Sequence, residues 1–576
     1  MLTTLDWSIV TIYMLLSVAI GIYFTKRASS STNEFFLSGR NLPWWLAGTS
    51  MVATTFSSDT PLYVTGLVRS YGIYENWQWW CFVMSGMLSV FVFARLWKKA
   101  GVMTDVELTE IRYSGKSAAV LRGFRAIYFS VAIHTIIKAQ VILAMAKILD
   151  VVVGWGKWEA IAISSGVTIL YSLLSGYWGV ILTDFFQFII AMIGAVLLAY
   201  FAVRESGGLS NLKSNIEYTL GGNQHYTDFF PPLDSGLFGP AVLTFIAYMG
   251  LSWWSKYSSD GGGVIVQRMA SCKDERHSIM ATFYFNIANY ALRSWPWILA
   301  ALASLILYPT VKDHESVYPQ MMVDLLPTGF RGLMLASFFA AFMSTLSTYL
   351  NLSSAYFIND FYRRFVKINA TERHYVMIAR VVTIILSIIT GIVTYYATSI
   401  IEVFKFLIAF GSGTGLVYLL RWYWWRINAW SEISAMIAST AISSYLYILH
   451  PLMPFYVKLA IIILLSTVIW VLVTLITSPV EEKRLIEFYR NTSPGGIGWK
   501  SIEKRLQIKD AGTTDRRKKP LRDIILWVYG SIFIYGITIG SGMVLLGNTI
   551  HGIVYLFLAL FCGIRLWRNF IDTISG

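Results

Sequence analysis

Six oxygen-bearing side chains fall within seven consecutive residues: Thr54, Thr55, Ser57, Ser58, Asp59 and Thr60, followed at once by Pro61. Residues 43–53 and 62–69 on either side suit a membrane helix, but this middle does not. A carboxylate and five hydroxyls at membrane depth are costly unless they line a cavity. Proline donates no backbone hydrogen bond and disfavours helix at the residue before it. The stretch therefore predicts two half-helices with an unwound joint. Free carbonyls at such a joint can coordinate a cation, and the new N-terminus can hold a polar solute. A kinked helix with hydroxyls bonded to the preceding turn would use the same residues. Asp59 favours the first reading, because a lone carboxylate there has no cheap structural role.

A second oxygen cluster lies in the stretch after Gly332. Ser344, Ser347, Thr348 and Asn351 share one helix face at i, i+3, i+4, i+7 spacing, with Thr345, Ser353 and Ser354 nearby. Sodium is a hard cation that takes hydroxyl and carbonyl oxygens. Ala340 and Ala341 would let another helix approach closely, so packing through small residues is the competing reading. Asp184, in LTDFFQF, is either a buried ligand or a helix N-terminal charge. Gln78 in NWQWW and Ser255 in WWSKY suit a small polar solute, or belong to tryptophan anchors at the interface. Lys138, Arg293 and Lys405 read as side chains snorkelling near helix ends.

Enzyme chemistry finds little support. The 7 histidines are scattered, without HExxH or a Cys/His cluster, and no nucleophile–base pair is visible. GSGTG at 411–415 lacks the Lys-Ser/Thr of a phosphate-binding loop, and reads as a flexible or closely packed helix. The three cysteines give no disulfide framework.

These residues need elements to position them, and composition says which. The chain of 576 residues is 56% hydrophobic and 14% charged, with a mean hydropathy of +0.58. That describes an all-α polytopic membrane protein. The net charge of +14 is not a nucleic-acid signal, because Lys and Arg cluster in alternate loops in the positive-inside pattern. The first apolar stretch lacks a cleavage site and reads as a retained helix. The loop charges predict about fifteen transmembrane helices, the N-terminus outside and the C-terminus cytoplasmic. The polar, basic segment 101–125 falls inside, and a span at 237–257 ends near Lys256 and Asp260.

Two five-helix groups, 43–203 and 237–421, begin with helices crossing in opposite directions, a 5+5 inverted repeat. Residues 1–42 hold an extra span, 422–479 a helix hairpin, 480–522 a basic cytoplasmic linker and 523–576 two further spans.

Several motifs together resemble the sodium:solute symporter family. They are FFLSGRNLPWW (35–45), TDVELTEIRY (104–113), GYWGVILTDFFQF (176–188), IVQR (265–268) and FFAAFMSTLSTYLN (338–351). The similarity covers roughly residues 5–479. It implies a LeuT-type inverted-repeat core with discontinuous helices, and coupled sodium uptake. The family's shared sodium site falls on the carbonyls of Ala53, Phe56 and Ala341 and the hydroxyls of Ser344 and Thr345. A second sodium site, present in some members, falls on Asp184, Ser344, Ser347 and Thr348. The implied solute pocket comprises Thr55, Ser57, Asp59, Thr60, Gln78, Ser255 and Phe404. Ser255 stands where sugar-transporting members show Asn.

The expected function is a sodium-coupled symporter importing a small polar organic solute, such as a sugar, polyol or amino acid, with two sodium ions per solute. The expected setting is the plasma membrane, in a bacterium the inner membrane. The lipid bilayer and the solute are the expected partners, without nucleic acid or an obligatory protein partner. The alternative is a membrane receptor or sensor that kept the fold without transport, although the segment after 480 is short and basic for a signalling domain.

Overall fold

The computed structural model describes residues 2–28, 40–102, 104–172, 177–222, 225–505 and 513–575. Residues 35–39 and 176 of the quoted motifs lie outside them. Among the described residues the secondary structure is helical, apart from one isolated bridge between Leu42 and Cys272. Nine helices there are long and apolar enough to cross a membrane, ten if Ile400–Gly411 and Gly415–Tyr423 form one span bent by 41°. The expected fifteen also counted short and interrupted apolar stretches, such as 43–69 and 237–257.

The first oxygen cluster does break its helix. Trp44–Thr55 ends where Phe56 turns extended, its N–H reaching back to the Val52 and Ala53 carbonyls. The chain resumes as Asp59–Tyr71. Pro61 is not the breaker: it lies in the first turn of the second half, where its missing N–H would have no partner. The crowding of hydroxyls at Phe56–Ser58 marks the joint.

A second broken helix replaces the simple span expected at 237–257. Pro240–Ala247 continues through a π-helical turn, Tyr248–Ser252, to Trp253–Ser255, and stops at extended Lys256. It resumes as Gly263–Ser271 after Gly261 and Gly262, both at positive φ, which glycine adopts without strain. The polar, basic segment 101–125 is mostly helical among its described residues. A short helix, Leu108–Arg112, is followed by one that starts at Gly115–Ile127 and runs through a π turn to His134–Val153.

Two groups of five result, each opened by a broken helix. The first continues with Ile73–Ala100, residues 115–153, Lys157–Ser172 and Tyr177–Glu205. The second continues with Glu275–Leu307, Phe330–Val366, Glu372–Tyr396 and the bent pair at 400–423. Trp44–Thr55 packs against both Tyr177–Glu205 and the start of Glu275–Leu307. Gly48 makes the second contact possible, since a Cβ there would lie 2.8 Å from the Ala281 carbonyl.

Buried charge ties several segments together. Arg421 pairs with Asp260 at 2.6 Å and Glu432 at 3.4 Å; Arg125 pairs with Asp105 at 3.1 Å and with Glu432 at 3.4 Å. This explains why 115–125 is helical: Arg125 is held inside the protein. The network also ties Asp260, in the joint of the second broken helix, to the hairpin helix Ala429–Leu449. The C-terminal pair, Thr513–Leu545 and Thr549–Ser575, braces the core from outside. Trp527 Nε1 donates to the Met84 carbonyl at 2.7 Å, and Trp295 Nε1 donates to the Thr538 carbonyl at 3.0 Å.

Candidate functional site

The two joints face a shared cavity of about 320 Å³, in the lower part of the roughly 300–1,000 Å³ range of small-molecule sites. The first broken helix contributes Thr54, Thr55, Asp59, Thr60 and Tyr63; the second contributes Lys256, Tyr257 and the glycines 261–263. Trp79, Phe82 and Tyr290 supply aromatic surface, and Phe404 covers one side against Tyr63, with ring centroids 4.8 Å apart.

The polar groups are placed by neighbouring helices. Gln140 Nε2 donates to Asp59 Oδ2 at 2.7 Å, orienting the carboxylate without neutralising it. Thr55 Oγ1 donates to its own helix at the Met51 and Val52 carbonyls, 3.0 Å each, and lies 3.2 Å from Asn289 Oδ1. Arg293 Nε donates to the Asn289 carbonyl at 3.1 Å and its guanidinium lies over the Trp297 ring. Lys256 Nζ sits 4.1 Å from the centroid of Phe82. The cavity thus holds one carboxylate and two cations, together with amides, hydroxyls and aromatic faces.

A second polar cluster lies beside the first joint. Asp184 is fully buried, and its Oδ2 accepts from Ser50 Oγ at 2.7 Å while its Oδ1 accepts from Ser344. These partners come from two other helices, so the carboxylate does not serve as a cap for its own. Thr345 Oγ1 donates to the Thr54 carbonyl at 3.2 Å, and Arg268 Nη2 donates to Thr54 Oγ1 at 3.0 Å. Ala53, Phe56, Ala341, Ser344, Thr345 and Ser347 are all buried. Ser347 Oγ is turned to the Ser344 carbonyl of its own helix at 3.1 Å, and Thr348 is buried on the same helix. Carbonyls at a helix end, hydroxyls and one carboxylate form an oxygen set that suits a hard monovalent cation.

Of the expected solute residues, Thr55, Asp59, Thr60 and Phe404 line the cavity, whereas Ser57, Gln78 and Ser255 do not. Gln78 is committed elsewhere: it accepts from the Tyr63 hydroxyl and donates to Tyr248 Oη at 2.9 Å, and Tyr248 in turn donates to Glu75 at 2.8 Å. Ser255 is packed where a Cβ on Gly415 would lie 2.2 Å from the Ser255 carbonyl carbon. The near-end reading fits Lys405, which pairs with Glu402 at 3.1 Å. It fails for Arg293, 4% exposed at the cavity, and for Lys138, wholly buried.

Sequence reasoning missed Ser50, Gln140, Lys256, Asn286 and Asn289. The signal available was a polar residue in each of several apolar helices, but nothing in the sequence says which faces turn toward one another.

The sodium:solute symporter family's sequence profile matches residues 35–439. The sodium/glucose cotransporter of Vibrio parahaemolyticus is 23% identical over 510 residues, covering 83% of this chain and 91% of that protein. The sodium/mannose cotransporter SLC5A10 of Bos taurus is 26% identical over 495 residues, covering 79% and 81%. Sodium/myo-inositol cotransporter 2 of Mus musculus is 26% identical over 476 residues, covering 75% and 68%. Among solved structures, the substrate-bound outward-open state of a Na+-coupled sialic acid symporter aligns with a TM-score of 0.64 at 20% identity, covering 83% of this chain and 99% of that one. That likeness establishes the LeuT-type fold.

Proposed function

The chain belongs to the sodium:solute symporter family, and on that premise we propose that it couples sodium entry to the uptake of a small polyhydroxylated solute by alternating access. One observation carries the reading: the joints of both broken helices open on one cavity of aromatic and polar groups, and the Asp184, Ser344 and Thr345 cluster abuts the first joint. The relatives include glucose, mannose and myo-inositol cotransporters, and the mix of hydroxyl, amide and aromatic groups here fits a solute of that kind.

In this reading the first sodium ion is held by the carbonyls of Ala53, Phe56 and Ala341 and the hydroxyls of Ser344 and Thr345. Its ligands come from the first broken helix and the helix Phe330–Val366, so sodium entry draws those helices into one arrangement. The solute then meets an ordered joint, with Asp59 oriented by Gln140. Coupling follows because each ligand stabilises the arrangement the other needs. A second ion uses Asp184, Ser344, Ser347 and Thr348, with the carboxylate offsetting the added charge. The N-terminus lies outside, the C-terminus is cytoplasmic and the buried arginine network marks the inner end.

The two stoichiometries differ in the accumulation they support. One charge falling through about 100 mV releases about 2.3 kcal/mol, and a tenfold sodium gradient adds about 1.4 kcal/mol. One ion then supports roughly 500-fold accumulation of a neutral solute, and two support roughly 10⁵-fold. Titration calorimetry of the purified protein with a panel of sugars and polyols, in sodium and then in potassium, tests the function. Binding that strengthens with sodium is expected; binding equal in both salts would contradict coupling.

A further inference from the structure

The linker after the helix hairpin lies beyond the family match, which ends at residue 439, and it has no part in the sodium or solute sites. Its described part forms Glu482–Thr492 and Lys500–Arg505, joined through a turn at Ile497–Trp499. Together these bury one apolar face: Leu485, Phe488, Tyr489, Trp499 and Ile502. That face covers the end of Gly415–Tyr423, the last helix of the second repeat. Trp499 Nε1 donates to the Trp422 carbonyl at 2.7 Å, and the Phe488 and Trp422 ring centroids lie 5.8 Å apart. The fit is close, since a Cβ on Gly498 would collide with the Tyr423 carbonyl.

From there the contact runs to the cavity. The Trp422 indole donates to Asp260 Oδ2 at 3.0 Å, beside the Arg421–Asp260 pair, and Trp97 Nε1 donates to the Asp260 carbonyl at 2.7 Å. Asp260 lies in the second joint, and its neighbours Ser258, Gly261 and Gly262 line the cavity. Trp422 thus takes the linker on its carbonyl and the joint on its indole.

The docked linker carries a cost of its own. Arg112, wholly buried at the contact, donates to the carbonyls of Arg421, Trp424 and Trp425 at 2.8, 3.1 and 3.2 Å, and lies over the Phe488 and Trp499 rings. Its Nη1 is buried without a hydrogen bond among the described residues. A buried guanidinium short of one partner is costly, which offsets part of what the aromatic burial gains. Docking is therefore less favourable than the buried face alone implies.

We propose that residues 481–505 are a latch on the inner side of the transport cycle. Docked, they hold Trp422 against the second joint and keep the cavity shut toward the cytoplasm. Lifted, they free the joint and let the cavity open inward. The latch rests on the alternating-access reading and adds a control element to it.

The test is labelling of a cysteine in the cavity wall of the full-length protein. Thr282→Cys is placed on a background with Cys81, Cys272 and Cys562 changed to Ala. Thr282 lines the cavity, and its hydroxyl donates to the Ser278 carbonyl of its own helix at 2.8 Å, so the exchange disturbs little. A membrane-impermeant maleimide is applied to inside-out and to right-side-out vesicles, in sodium and in potassium. In the parent, sodium is expected to slow labelling from the inside and speed it from the outside. Gly498→Ala is expected to raise the inside rate in potassium about tenfold by shifting the population toward the inward-open state. Trp499→Phe, which keeps a ring and loses the N–H, is expected to raise it by less, and the outside rate holds or falls in both. If Gly498→Ala does not fold, Trp499→Phe carries the comparison alone. Parent-like inside rates in the variants, with the parent still responding to sodium, would overturn the latch and leave the symporter reading intact. Rates raised alike from both sides would also overturn it, since a loosened fold has no direction. A parent indifferent to sodium on both sides would count against the latch and the symporter reading together.

Discussion

Thr345 Oγ1 donates to the Thr54 carbonyl at 3.2 Å, joining the helix Phe330–Val366 to the last turn before the first joint. The contact places a hydroxyl beside the carbonyls that the joint frees. On the proposed mechanism, a cation between these two helices would hold together elements that separate as the cavity empties.

Thr345→Ala removes one proposed ligand and the bond to Thr54. The half-saturating sodium concentration should rise roughly tenfold, the equivalent of about 1.4 kcal/mol, while Thr345→Ser stays near the parent. Sodium titrations of binding or uptake read this directly. A parent-like sodium dependence in the alanine variant would place the ion elsewhere.

Asp184 accepts from Ser50 at 2.7 Å and also from Ser344. On the two-ion proposal the parent should show a Hill coefficient for sodium above one, and Asp184→Asn should bring it toward one. If the carboxylate only ties three helices together, the variant will melt earlier with its sodium cooperativity unchanged.

Gly86 faces the Asn286 amide across the cavity wall, and a Cβ there would lie 1.9 Å from Asn286 Oδ1. Gly86→Ala should displace that amide and weaken solute binding roughly tenfold, about 1.4 kcal/mol, with sodium affinity little changed. The effect should largely vanish on an Asn286→Ala background, which a double-mutant cycle measures. Additive effects would mean that Asn286 is not the group displaced.

In the loop 206–239, His225 Nδ1 lies 2.6 Å from Asp228 Oδ2, and Nε2 lies 2.7 Å from Asp234 Oδ2. The hydrogen bond to Asp228 leads, and with Asp234 it outweighs desolvation and raises the imidazole pKa. A raised folded-state pKa means the stabilisation is complete below the unfolded value of about 6.5 and is lost as pH rises through the folded value. His225→Gln should therefore melt roughly 1 °C below the parent in acid, the gap closing at alkaline pH. Differential scanning fluorimetry across that range checks it; a gap constant with pH would contradict the charged pair.

The fold was largely legible because hydropathy and loop charge act locally. The first joint announced itself, since Asp59 and five hydroxyls have no place in a continuous membrane helix. The second joint did not. Ser255 and Lys256 close an apolar run beside Gly261–Gly263, a pattern that equally describes a helix ending at the membrane surface. What continues the chain inward is Asp260 pairing with Arg421, a contact across 161 residues. Arg293 was misread for a related reason: snorkelling and cavity-facing lysines or arginines look alike until helix packing fixes which face is inside. Gln78 erred in the opposite direction, because its tyrosine partners, Tyr63 and Tyr248, are polar only at the ring tip. Ser50 and Gln140 carried no pattern at all; their roles exist only because Asp184 and Asp59 reach them from other helices.

Sodium-driven accumulation in proteoliposomes tests the central claim most directly, using the solute that binds best in the panel. With an inward sodium gradient, internal solute should rise transiently above the external concentration, and a sodium ionophore should abolish the overshoot. Solute that only equilibrates, at the same rate with the gradient or without it, would contradict sodium coupling.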